Sequence, residues 1–140
     1  MGREDVRWKQ RFSNYRRSVE NLRDALKTTE PSKLERQGIV KAFELAYELA
    51  WKTLQDFLKE LGYSDIVGPK PVIRQAFESG VIADGDGWAR MHRARHDNSD
   101  LYLEQKAMQR EQEIRNEYEA LLRELAEELG RRLQREGAEA

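Results

Sequence analysis

The chain contains no cysteine. That absence excludes disulfides, thiol catalysis, cysteine-ligated zinc and iron–sulfur clusters together. Histidine is nearly absent too: His92 and His96 are the only two. No histidine-rich metal site follows from so few, and no metal or other cofactor is expected. No apolar run approaches the ~18 residues that span a bilayer, so a membrane protein is not expected. No basic segment followed by an apolar core opens the sequence, which points to a cytoplasmic location. Prolines number three and glycines nine. No stretch alternates β-branched with polar residues as a half-buried strand would. Net charge is −1, so the molecule as a whole does not attract nucleic acid, and any such contact would need a local patch.

Charge of both signs and helix-forming residues are what the chain has in plenty. Asp, Glu, Lys and Arg make up 36% of its 140 residues, against a usual share of about a quarter. The size suits one domain, and the expected fold is all-α. A five-helix up-and-down (antiparallel) bundle over residues 1–133 is expected, followed by a frayed tail over 134–140 that has nothing to bury. The first helix should run from about Glu4 to Thr28, with Trp8, Phe12, Tyr15, Val19, Leu22 and Leu26 as one apolar stripe. The second should start near Pro31 and stop at Gly62. A short third helix should follow Pro71 and end at Gly80. The fourth should start at Asp84 or Asp86 as N-cap, and the fifth should run from Tyr102 to Leu133 after a polar break.

Two features of these helices bear on assembly. Phe43, Tyr47, Trp51 and Phe57 form an aromatic ladder on the second helix, read as core or subunit interface. Its wide apolar arc predicts that Phe43 and Trp51 are buried and that two copies form a dimer. In the fifth helix the turn from Gln109 to Glu113 has no apolar anchor. It is either a turn facing solvent or a polar contact surface.

Candidate chemistry is sparse. Asp84-Gly85-Asp86-Gly87 lacks the lysine of a phosphate loop and the closing glutamate of a calcium loop, and reads as a turn with a helix cap. Glu44 and Glu48 lie four apart, as in di-metal bundles, but no Glu-x-x-His accompanies them, and Lys41 and Lys52 are placed to pair with them. The stretch from Trp88 to Tyr102 differs from the rest. Arg90, Arg93 and Arg95 and both histidines fall within seven residues. Such a group is either a solvated helix end or an anion site with a histidine able to move a proton.

Two segments carry a resemblance. Phe43-Glu44-Leu45-Ala46-Tyr47-Glu48-Leu49-Ala50-Trp51-Lys52-Thr53-Leu54 is similar to the long second helix of the nucleotidyltransferase substrate-binding protein family, a branch of the HEPN helical domains. The order Ile73-Arg74-Gln75-Ala76-Phe77, Gly80-Val81-Ile82, Trp88-Ala89-Arg90-Met91 and Arg95 to Tyr102 resembles the rest of that family's pattern. The resemblance covers roughly residues 8 to 130. It implies a HEPN-like five-helix bundle that forms a homodimer and works with a minimal nucleotidyltransferase in a two-component, toxin–antitoxin-like system. Related members are metal-independent ribonucleases whose arginine and histidine meet at a dimer cleft, where nucleotide or RNA would sit, and whose following tyrosine is in some systems modified with AMP.

The motif arginine falls on Arg95 and the tyrosine on Tyr102. The histidine position holds Asp100, the asparagine position holds His96, and Leu103 stands where the family commonly has an acidic residue. An aspartate is ionised at neutral pH and cannot act for an imidazole as a proton donor. No catalytic residue is therefore assigned to the degenerate set Arg95, Asp100 and His96. Arg90, Arg95, His96 and Tyr102 are the candidate binding residues. The resemblance thus implies a non-catalytic partner subunit of a nucleotidyltransferase. The alternatives are a HEPN ribonuclease toxin with an altered Arg/His motif and an engineered binding protein on this scaffold.

Overall fold

Each helix starts and stops on a local signal, and several of these signals lie within a residue or two of the expected boundary. The structure, a computed structural model, describes residues 3–97 and 103–139, with side chains for 7–97 and 103–136. Its helices are α1 (Arg3–Ala25), α2 (Lys33–Glu60), α3 (Pro69–Glu78), α4 (Gly85–His96), α5 (Glu104–Glu113) and α6 (Glu119–Glu139). A π-helical turn, Ile114–Tyr118, joins α5 to α6 with right-handed helical backbone at both its ends, so the two form one rod. The result is the all-α, five-rod bundle expected, with no strand among the described residues.

The second helix begins not at Pro31 but after Ser32, because Ser32 and Glu35 satisfy each other's free amides. The Glu35 amide donates to Ser32 Oγ at 3.1 Å and the Ser32 amide donates to Glu35 Oε1 at 2.8 Å, a reciprocal cap. At the other end Gly62, at φ 101°, lets its own amide reach Lys59 O at 3.0 Å and that of Tyr63 reach Leu58 O at 2.9 Å. Gly80, at φ 75°, closes α3 in the same way, with bonds to Phe77 O and, from Val81, to Ala76 O. Both are Schellman caps, in which the residue after the cap must be left-handed. Helix α3 starts at Pro69, two residues before the expected Pro71, since a proline at the first helical position loses no bond. Asp84 caps α4 as expected, accepting from the Gly87 amide at 2.9 Å. Helix α6 continues past Leu133, but residues 134–136 are exposed, so the extension adds no core.

Helix α2 is the trunk: α1, α3, α4 and the α5–α6 rod all pack against it. Trp8, Phe12, Tyr15, Val19 and Leu22 of α1 meet Phe43, Tyr47, Ala50, Leu54 and Leu58 of α2 and Ile114, Leu122, Leu125 and Leu129 of the last rod in one apolar core. Phe43, Tyr47 and Phe57 of the aromatic ladder are thereby covered inside the chain. Phe43 is fully buried as expected, but Trp51 is only partly buried, at the edge of the core. Large apolar residues left exposed are Leu34 and Leu45 of α2 and Leu61 at its C-cap.

The polar turn of the last rod points two of its charges inward, while Gln109 and Gln112 are exposed. Arg110 is 8% and Glu111 4% exposed. Glu111 accepts from Arg36 Nε of α2 and from Arg115 Nε, both at 2.8 Å. Arg115 in turn donates to the carbonyls of Leu26 and Thr28 at 2.7 and 2.6 Å, tying the α1–α2 turn to the rod. The buried charges Arg36, Arg110 and Glu111 persist because each is paired and hydrogen-bonded, and buried Asp56 is paired with Arg11 at 3.3 Å.

Candidate functional site

Residues 44, 47, 48 and 51 recur at the three- and four-residue steps that place them on one face of α2. On α4, residues 92, 95 and 96 do the same. The structure sets these two rows against each other. Arg95 lies between two carboxylates, with Nη1 3.8 Å from Glu44 Oε2 and Nε 3.4 Å from Glu48 Oε1. Its side chain is 29% exposed, at the rim rather than in the core. The second oxygen of Glu48 accepts from the Trp51 indole N–H at 3.1 Å. Lys41 approaches Glu44 as the spacing suggested, at 4.0 Å. Lys52, however, does not pair with Glu48; its ammonium sits over the Trp51 ring, 5.8 Å from the centroid.

The two histidines lie against each other with ring centroids 4.3 Å apart and planes tilted by 40°, and each uses Nδ1 for a hydrogen bond. The buried Tyr47 hydroxyl lies 2.7 Å from His92 Nδ1. Burial pushes the Tyr47 hydroxyl far above the usual phenol range, so it keeps its proton and donates it. A hydroxyl that keeps its proton can donate it to His92 Nδ1, an arrangement in which the ring's own proton sits on Nε2. Burial, with the positive charges of His96, Lys70 and Arg93 nearby, lowers His92 below the usual imidazole range and keeps it neutral. His96 Nδ1 lies 3.0 Å from the His92 carbonyl, which can only accept, so His96 carries its proton on Nδ1.

The end of α4 that carries these groups is held from the last rod. Arg110 donates through Nη1 to the carbonyl of Ala94, and its Nη2 lies 3.3 Å from Asp97 Oδ2. A guanidinium placed on a carbonyl of the last helical turn also meets the negative pole of the helix dipole.

Of the residues singled out in the sequence, Arg95 and His96 come together. Arg90 does not join them: its Nε and Nη2 donate to Glu117 Oε1 of the π-helical turn at 2.9 and 2.6 Å. Asp100 and Tyr102 lie outside the described residues. Glu44, Tyr47, Glu48, Trp51 and His92 are site residues that the sequence reading did not assemble. The sequence reading weighed Glu44 and Glu48 only as metal ligands and Tyr47 and Trp51 only as core or interface. Their shared face on α2 was the signal that they form one polar row. Arg110 left no signal beyond the gap in the apolar stripe. Among the described residues no group of three histidines or carboxylates converges as metal ligands would, and no helix is long and apolar enough to cross a membrane.

Comparison with known proteins gives a consistent answer. The family model described as "Nucleotidyltransferase substrate binding protein like" matches residues 10–131. A Thermus thermophilus protein of known structure is 28% identical and superposes with a TM-score of 0.74, over 84% of this chain and 97% of that one. A Haemophilus influenzae protein, whose structure is described as revealing the fold of a substrate binding domain of a nucleotidyltransferase, is 26% identical with a TM-score of 0.62. That match covers 90% of this chain and 98% of the other. No curated protein sequence matches significantly.

Proposed function

Since the chain belongs to the nucleotidyltransferase substrate binding protein like family, we propose that it is a non-catalytic, substrate-binding partner subunit of a nucleotidyltransferase. The observation that carries this reading is the pairing of Arg95. A ribonuclease needs that guanidinium for a phosphate, yet here Glu44 and Glu48 stand 3.8 and 3.4 Å from it. Each such contact is worth roughly 4–5 kcal/mol at an effective dielectric of 20, before desolvation is charged against it. A phosphate would have to displace both. The α2–α4 face is instead a polar, hydrogen-bonded surface of mixed sign, suited to a protein partner.

In its finer form the proposal makes the chain a HEPN-type homodimer in a two-component, toxin–antitoxin-like pair, with the α4 ends of two copies at a shared cleft. Leu45, exposed on α2 next to Glu44, supports a contact there. One observation favours a second reading. His96 directly follows Arg95 on α4 and sits with it beside Tyr47, an imidazole and a cation that are the makings of a residual ribonuclease site.

The test is co-purification of the chain with a minimal nucleotidyltransferase from the same organism, followed by nucleotide transfer assays with and without it. A stoichiometric complex that changes transfer, together with no RNA cleavage by the chain alone, is the expected result. RNA cleavage by the chain that Arg95→Ala abolishes, with no complex formed, would overturn the proposal in favour of the second reading. Under that reading Asp100→His should raise cleavage sharply.

A further inference from the structure

Next to the α2–α4 face, and sharing His92 with it, α3 and α4 line a cleft of about 560 Å³, within the range of small-molecule sites. Its two ends differ chemically. Lys70, Ile73, Arg74 and Phe77 recur along α3 at helical spacing and line it from one side, and Asp86, Ala89, His92 and Arg93 line it from α4. Phe77 stands at the end next to the Asp84–Gly87 turn. Its ring approaches Gly85 so closely that a Cβ there would lie 3.3 Å from it. The ring is 50% exposed, an unusual state for a phenylalanine on a helix with a well-filled core. Seven residues earlier, two turns or roughly 10 Å along the helix, Lys70 stands at the opposite end, near His92 and Arg93. Lys70, Arg74 and Arg93 make no ion pair among the described residues.

We propose that this cleft binds a free nucleoside phosphate, with the base on Phe77 and the phosphates between Lys70, Arg74 and Arg93. A flat ring gains most from an exposed aromatic face, and every base has such a face. Unpaired cations at a fixed distance beyond the ring ask for an anionic group on the same ligand. His92, whose Nδ1 is taken by Tyr47, offers Nε2–H as a donor to a phosphate or ribose oxygen. Asp86, at the Phe77 end, accepts from base amino groups or ribose hydroxyls, whereas Asp84 is already engaged by the Gly87 amide. Gly85 lets the ring lie close to the turn, since a Cβ there would make the ring give by a few tenths of an ångström.

The inference rests on the substrate-binding role and assigns that role a ligand class. It is tested on the chain alone, so a chain that joins a nucleotidyltransferase yet ignores nucleotides would overturn this inference and leave the partner role intact. Isothermal titration of the full chain with AMP, ADP, ATP, adenosine and inorganic phosphate gives the readout. Affinity should rise from AMP to ATP, and adenosine and phosphate should each bind at least roughly tenfold more weakly than AMP. Phe77→Ala should weaken AMP by about tenfold, and Phe77→Leu, which keeps bulk without a ring, by a similar factor. Lys70→Gln and Arg93→Gln should remove the gain from AMP to ATP, while Arg16→Gln on α1 should leave it unchanged. Equal binding of phosphate and AMP, indifference to both Phe77 variants, or no binding of any nucleotide at millimolar concentration would overturn the assignment. A short single-stranded RNA bound at least roughly a hundredfold tighter than its own mononucleotide would make the cleft an RNA groove instead.

Discussion

Replacing Glu111 with alanine tests whether the polar turn of the last rod is structural. The carboxylate is 4% exposed and accepts from Arg36 and Arg115 at 2.8 Å each. Without it, two guanidinium groups lose their buried counter-charge. Removing one partner of a buried pair costs about 3–5 kcal/mol. The lower end applies here, because Arg115 keeps the Leu26 and Thr28 carbonyls and Arg36 keeps that of Pro31. A loss of about 3 kcal/mol with a urea slope of roughly 1.5–2 kcal/mol/M lowers the unfolding midpoint by about 1.5–2 M. A double-mutant cycle with Arg36→Ala should return a coupling above about 1 kcal/mol. The pH dependence gives a second check. Burial alone would raise the Glu111 carboxyl, but the hydrogen bonds and charges of Arg36 and Arg115 outweigh it and hold the group below the usual glutamate range. Its stabilisation is therefore complete above the unfolded value of about 4.3 and is lost as pH falls through the lower folded value. The native chain should lose stability in that window, and Glu111→Ala should lose less. A midpoint drop under about 0.5 M, or acid slopes that coincide, would refute the reasoning.

Three further outcomes are expected. Tyr47→Phe removes the hydrogen bond that favours neutral His92, so the His92 titration followed by nitrogen-15 imidazole shifts should move upward and its tautomer should become mixed. Trp51 is the tryptophan outside the core, with Trp8 and Trp88 at 1% and 2% exposure. Trp51→Phe should therefore remove most acrylamide-quenchable fluorescence while costing less than the ~3–5 kcal/mol of a buried aromatic truncation. Gly62→Ala forces a side chain onto a backbone at φ 101° and should cost about 1–2 kcal/mol, a fall of roughly 3–8 °C in thermal midpoint.

The helices were legible in the sequence because apolar spacing and breakers are local signals. Phe12 to Leu22 had to share a face whatever packed on it, and Gly62 and Gly80 could stop helices without knowledge of the rest of the chain. What the sequence could not reveal was which charges turn inward. Arg36 and Glu111 are separated by 75 positions, and nothing in either neighbourhood distinguishes them from the exposed charges around them. Trp51 was assigned to the core for the opposite reason: aromatic spacing says which face a residue is on but not how far that face extends. The candidate site was half legible. Arg95 and His96 stood out by composition, while their partners on α2 became visible only when α4 was laid across Glu44 and Glu48.

The pairing of charges has a consequence for how this molecule meets others. Arg95, Arg110, Arg115, Arg123, Arg131 and Arg132 each have a carboxylate within 4 Å. Beyond the ~8 Å screening length of physiological salt, an approaching molecule feels short-range dipoles on much of this surface rather than a field that guides it in. Encounters should proceed at the unsteered rate of roughly 10⁵–10⁶ M⁻¹s⁻¹ and change little with ionic strength. Discrimination among partners then falls to how long each stays, and differences in affinity should be read almost wholly in dissociation rates.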